Sequence, residues 1–218
     1  MDLQEIKEAL NNSDPQQRMR GVRELRNYDA EVAAPLLLDH TKDSEFLVRS
    51  FVAMGLGRKR SPEAFDALLE MIQSDGDPNV RSEAANSLSY YGDRALPYLT
   101  KMYEDDEHWL VRRSIIAAVA DSNAPQELLK ICQIGLSGND EPVKFSCINC
   151  LGMFANTPQQ DSALDILLSL VNDPSWRIRS QTARALGKYQ TESAIAALTQ
   201  LKSDEHHRVV ASALESLV

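Results

Sequence analysis

The chain has no apolar run near the roughly 18–20 residues that a membrane-crossing helix needs, which argues against a transmembrane span. It has three cysteines, an odd number without the framework of a secreted disulfide domain, so a reducing, cytoplasm-like compartment is expected. It lacks a basic excess. Lys and Arg number 23 against 32 Asp and Glu, for a net charge of −9. Nucleic-acid binding draws on Lys and Arg that neutralise phosphates, so this balance argues against it. There is no glycine-rich phosphate loop. No Ser, Cys or Asp is spaced with His40, His108, His206 or His207 to make a nucleophile motif, and no carboxylate pair stands out for acid–base work. No catalytic residue, metal ligand or cofactor is therefore expected. The opening Met1-Asp2-Leu3-Gln4-Glu5 is acidic and enters an amphipathic pattern at once, so it reads as neither a signal nor a transit peptide.

What is there is a repeat. Segments beginning at Asp14, Asp43, Asp77, Asp106, Asp140, Asp173 and Asp204 each run from Asp through a short turn to a basic residue and then to apolar or small positions. The basic anchors are Arg18, Arg49, Arg81, Arg112, Lys144 and Arg179, with Val210 in the seventh copy. A recurrence of about 31 residues marks stacked helical pairs, each packed only on its neighbours. The fold expected is all-α, a right-handed α-solenoid of about seven helical hairpins forming one domain over 1–218. The hairpins fall near 1–27, 28–58, 59–92, 93–121, 122–156, 157–189 and 190–218.

The third copy shows the grammar. Ser61-Pro62-Glu63 starts a helix with an N-cap, a proline at its first position and an acidic first turn. Phe65, Leu68, Leu69 and Ile72 share one side of it. Asp77 caps a second helix with Pro78 at its start, and Val80, Ala84, Ala85 and Leu88 form its buried stripe. Gly92 ends it with a conformation open to glycine. The Asp residues are expected as helix caps, and the arginines are expected to reach an Asp of a neighbouring repeat, building a ladder. Asp14, Asp77 and Asp140 reach their anchors in four steps, whereas Asp43, Asp106, Asp173 and Asp204 take six and carry a ring three residues on: Phe46, Trp109, Trp176 and His207. A longer turn plugged by a ring is the expectation for those copies.

Segments such as Asp77-Pro78-Asn79-Val80-Arg81 and Asp173-Pro174-Ser175-Trp176-Arg177-Ile178-Arg179, followed by small residues and the Leu186-Gly187 ending, resemble HEAT repeats of the short phycobilisome-lyase type. That resemblance covers nearly the whole chain and implies fold more sharply than activity. Proteins of this type occur notably in cyanobacteria and chloroplasts, so a stroma-like compartment is also implied. Some attach or detach bilins on phycobiliproteins; others are adaptors, including partners of iron–sulfur assembly proteins. The function expected is non-catalytic protein binding through the concave face, as adaptor or assembly factor. The alternative is a bilin lyase subunit or relative.

In HEAT-like stacks the second helices line the concave side. Positions two, five and nine past each anchor are expected to point outward there. The candidate partner-binding residues are Phe51, Met54, Arg58, Glu83, Asn86 and Tyr90, since exposed rings and methionines beside a cation are typical of binding hot spots. Helix curvature turning Phe51 and Met54 into the core is the competing expectation. Arg18, Arg20, Arg23 and Arg26, and Arg58-Lys59-Arg60, read as solvated basic runs or as a docking patch for an acidic protein. Cys132, Cys147 and Cys150 read as buried small hydrophobes.

Overall fold

Each stretch of period 3.6 becomes a helix, and each Asp, Ser or Pro start becomes its beginning. In the computed structural model, residues 1–217 are described. They contain fourteen α-helices and no strand. They group into two compact units, Met1–Asn123 and Ala124 onward.

The first unit holds α1 (Leu3–Leu10), α2 (Pro15–Glu24), α3 (Ala30–Leu38), α4 (Phe46–Lys59), α5 (Pro62–Ser74), α6 (Pro78–Leu88), α7 (Leu96–Asp105) and α8 (Trp109–Ala120). The second holds α9 (Pro125–Ser137), α10 (Glu141–Leu151), α11 (Gln160–Ser169), α12 (Trp176–Leu186), α13 (Glu192–Leu201) and α14 (His207–Ser216). Odd-numbered helices open each repeat and even-numbered ones close it.

The caps of α2, α5 and α6 work as expected, each with a proline as the first helical residue. Asp14, Ser61 and Asp77 side chains accept the backbone N–H groups of Gln16, Ala64 and Asn79 at 2.9, 3.1 and 2.8 Å. Such a cap is worth about 1 kcal/mol. Gly92 has φ +58° and ψ −138°, a backbone state that a side chain rarely tolerates, and it separates α6 from α7.

The core lies between the layers. Phe65, Leu68 and Ile72 of α5 and Val80, Ala84, Ala85 and Leu88 of α6 are at most 1% exposed. Each large aliphatic side chain so buried contributes about 1.5–3 kcal/mol. The even helices approach closely. A Cβ added at Gly57 would lie 2.6 Å from the Ser87 Cβ, and one at Gly187 would lie 2.6 Å from the Ser216 Cβ. Within each unit, consecutive even helices pack extensively while consecutive odd helices barely touch. The even layer is thus the inner one of each stack.

The ladder is present, with its register moved. Arg18, Arg49, Arg81 and Arg179 each grip a carboxylate of the next repeat through Nε: Asp43 at 2.7 Å, Asp75 at 2.7 Å, Asp106 at 2.6 Å and Asp204 at 2.7 Å. Asp75, not Asp77, is the rung in the third copy. The rung residue is always six before the anchor position of its own copy, held by Arg49, Arg81, Arg112 and Val210, and its side chain accepts the N–H of the N-cap two residues on, as Asp43 does from Glu45, Asp75 from Asp77 and Asp204 from His206. Asp43, Asp106, Asp173 and Asp204 are therefore not helix caps; Glu45, His108, Ser175 and His206 hold that position.

The alternation of four-step and six-step turns disappears with this register. The spacing from rung to N-cap is constant, but the turns themselves differ: seven, six and five residues precede α4, α12 and α14, as expected for those ring-bearing copies, whereas only three precede α8, so Trp109 plugs no longer gap. The rings occupy the first position of the even helices that proline holds in α2 and α6, and Trp109 is 39% exposed there. In the fifth copy Gly138 and Lys144 stand at the rung and anchor positions. No ion pair joins Lys144 to Asp173 among the described residues.

Candidate functional site

Positions two, five and nine past each anchor behave as a graded set on the inner layer. Those at plus two are half-buried in Phe51, Glu83, Ser114, Ser146 and Gln181, because the next even helix leans over them. Those at plus five and nine are mostly open, as Arg23, Asn86, Ala117, Asn149, Arg184 and Lys188 show. Phe51 and Met54 are both half-buried, so neither competing expectation holds fully. They are neither solvated nor absorbed into the core.

They line a cleft of about 160 Å³ between α2 and α4. Its floor is Val22, Leu25 and Leu37, all buried. Phe51, Met54 and Gly55 form one wall. Its rim is Arg23, Arg26, Arg58 and Lys59, and no acidic side chain lines it. Lys59 donates from Nζ to the carbonyl oxygens of Arg26 (3.1 Å) and Tyr28, tying α4 to the 3-10 turn Leu25–Asn27. Burial lowers the Lys59 ammonium below its ordinary value, with Asp29 pulling it back.

Glu83 sits beside this cleft on α6. Burial raises its carboxyl above the usual range, while Asn86 and the Arg58 charge act the other way. Tyr90 is 49% exposed and does not line the cleft. The α-helical part of α6 ends at Leu88, and a 3-10 segment carries Ser89–Arg94. The tighter pitch of three residues per turn swings Tyr90 off the inner stripe. Its ring instead faces the guanidinium of Arg60, 5.6 Å from its centroid. Of the six sequence-derived residues, Phe51, Met54 and Arg58 come together, Glu83 and Asn86 adjoin them, and Tyr90 stands apart. Arg23 and Arg26 were legible only as a basic run; α2 stacking on α4 brings them beside Arg58.

The second unit has its own inner cleft of about 500 Å³, lined by Phe145, Trp176, Arg177, Arg184 and Arg208 among others. The Trp176 ring stacks on His206 at 4.0 Å, and the guanidiniums of Arg177 and Arg208 lie 4.9 and 5.3 Å from its centroid. Its faces are thus covered from within the chain.

Cys132, Cys147 and Cys150 are buried, as their spacing suggested, and form no disulfide. The Cys132 thiol meets the Cys147 carbonyl at 3.7 Å. Its pKa is pushed far up by Cys147, Cys150 and burial, so it is held as an unreactive thiol. Among the described residues no group of three or more His, Cys, Asp or Glu side chains is placed to hold a metal ion. Nor is any described helix long and apolar enough to cross a membrane.

Comparison with curated proteins finds no match. Among solved structures, the complex of CpcE and CpcF of phycocyanin lyase from Nostoc sp. PCC7120 is similar at 18% identity, with 98% of this chain and 93% of that chain covered and a TM-score of 0.55. A protein of E. coli, YibA, is similar at 16% identity over 100% and 92% of the two chains, with a TM-score of 0.51. At such identities the likeness is one of fold. The family model for HEAT repeats matches residues 34–120 and 128–218, and the chain belongs to the HEAT-repeat family.

Proposed function

We propose that the chain is a non-catalytic protein-binding scaffold, an adaptor or assembly factor working in a cytoplasmic or stroma-like compartment. It holds its partner on the inner face of the first unit through Phe51, Met54, Arg58, Glu83 and Asn86, with Tyr90 as an outlying contact beyond the cleft. One observation carries the reading. Of the even helices, α4 is the one that puts a ring and a methionine at plus two and plus five, half-exposed and facing a cleft, where α6 has Glu83 and Asn86 and α12 has Gln181 and Arg184. Partial burial of a ring beside cations is how hot spots are built, and truncating one commonly costs roughly 2 kcal/mol or more of binding. Phe51→Ala with Tyr90→Ala is expected to abolish partner capture from source lysate while circular dichroism stays helical. Changes at the odd-helix positions Glu70 and Lys101 are expected to leave capture intact. Capture that survives the double change and fails on the odd-helix side would move the site to the outer layer.

A second reading, a relative of the bilin lyases acting on a phycobiliprotein, is favoured by the Phe51 ring and the arginine rim of the same cleft. Those groups suit an open-chain tetrapyrrole with propionates, with Phe51 and Arg58 nearest. An absorption shift on mixing with free bilin would support it over the scaffold.

A further inference from the structure

The cleft of the first unit is apolar at its floor and cationic at its rim. Arg23 and Arg26 come from the first repeat, and Arg58 and Lys59 come from the second. None of the three arginines is in an ion pair among the described residues. All three are exposed; the Arg58 charge acts on Glu83, and Asp29 acts on Lys59. Unpaired guanidiniums gathered at one cleft stand out in a chain with a net charge of −9. Elsewhere in the unit Arg18, Arg49 and Arg81 are spent on rungs, Arg94 lies against Asp66 and Phe65, and Arg60, Arg112 and Arg113 lie over the rings of Tyr90, Tyr103 and Trp109. Guanidiniums present a fork of N–H donors that matches carboxylates.

We infer that the segment this cleft holds is an acidic, amphipathic stretch of a partner protein, with apolar side chains against Phe51 and Met54 and carboxylates on Arg23, Arg26 and Arg58. This rests on the reading of the inner face as a protein-binding surface and names the chemistry of what it binds. Arg23 and Arg26 are its specificity residues. An anionic bilayer is the other partner that cations beside apolar groups can suit. It is disfavoured because the apolar floor is recessed in a cleft of about 160 Å³, which the side chains of a single segment can enter and a flat lipid surface cannot.

The test uses the whole chain with methyl-labelled methionine, the Met54 methyl signal being assigned by Met54→Leu. The probe is a synthetic peptide of Leu and Phe interspersed with Glu. Its controls are the same peptide with Lys for Glu, and phosphatidylglycerol–phosphatidylcholine vesicles. The acidic peptide is expected to shift the Met54 signal saturably, with affinity falling as ionic strength rises from about 0.05 to about 0.5 M. Arg23→Glu with Arg26→Glu is expected to weaken it at least about tenfold, with helicity unchanged. Equal binding of the Lys peptide, a Met54 shift caused by vesicles alone, or no loss on charge reversal would each overturn the inference. A natural partner lost on Phe51→Ala with Tyr90→Ala but retained on charge reversal would leave the binding face standing and remove only its acidic specificity.

Discussion

Each rung arginine does two jobs with one planar group. Arg49 donates from Nη1 to its own turn at the Asp43 carbonyl (2.7 Å) and from Nε and Nη2 to Asp75 of the next repeat (2.7 and 2.9 Å). The pair is largely shielded, with side-chain exposures of 16% and 8%. Arg49→Ala leaves Asp75 without its cation and the Asp43 carbonyl without its donor. A loss of about 2–3 kcal/mol in urea unfolding is expected. Replacing both partners by leucine is expected to restore part of it, since no shielded charge is then left alone. The carboxylates carry a pH signature too. Burial is the largest single influence on Asp43 and Asp75 and pushes them up, but Arg18 and Arg49 together with the backbone N–H groups of Glu45 and Asp77 outweigh it, and both end below the usual range; Arg179 lowers Asp204 directly. Folded values below unfolded ones mean stabilisation that is full above the unfolded value near about 4 and is lost as pH falls through the folded value. Urea midpoints are expected to hold between about pH 7 and 5 and to drop below about pH 4. The Arg49→Leu, Asp75→Leu pair is expected to flatten that drop. A wild-type midpoint unchanged to about pH 2 would remove the rungs from the account.

Close approach of even helices decides which substitutions the elements tolerate. A methyl at Gly57 would meet the Ser87 Cβ at 2.6 Å and its Cα at 2.9 Å, so backbone must move. Gly57→Ala is expected to cost about 1–3 kcal/mol by overpacking. Gly55 faces only the flexible tip of Leu37 at 3.0 Å, and its alanine variant is expected to cost less. Leu88→Ala, at a fully buried site on α6, is expected to cost about 2–5 kcal/mol through the cavity left behind. Helix starts and buried stripes were readable from residues alone, because Asp77-Pro78 and Val80, Ala84, Ala85 and Leu88 carry their signals within one turn of each other. The rung register was not. Asp75 and Asp77 lie two residues apart with identical side chains, and only the neighbouring repeat decides which one accepts Arg49. The site was legible to the same degree. Phe51 and Met54 stood out by spacing within α4. Arg23 and Arg26 join them only through stacking of one repeat on the next, and Tyr90 leaves them because α6 tightens at Ser89.

At the scale of the whole chain, each compact unit holds one of the two tryptophans, Trp109 in the first and Trp176 in the second. With stability in stacked repeats set by neighbour contacts, damage is felt most where it is made. Leu88→Ala is expected to lower the urea midpoint reported by Trp109 fluorescence, in a Trp176→Phe background, more than the midpoint reported by Trp176 in a Trp109→Phe background. Equal shifts from both tryptophans would mean that the chain unfolds as a single cooperative body.

The rung also bears on how such a chain can change length. Each rung closes between an arginine and the aspartate at the head of the following turn, and the two elements it joins are always adjacent copies. A stretch running from just after Asp75 through Asp106 carries its own arginine, Arg81, and its own receiving carboxylate. Copied in tandem, it would present Arg81 to its own Asp106 in each copy and leave the Arg49–Asp75 junction intact. A gene segment cut at these two aspartates is thus a tile with matched ends, so growth by whole copies of it keeps the charges matched.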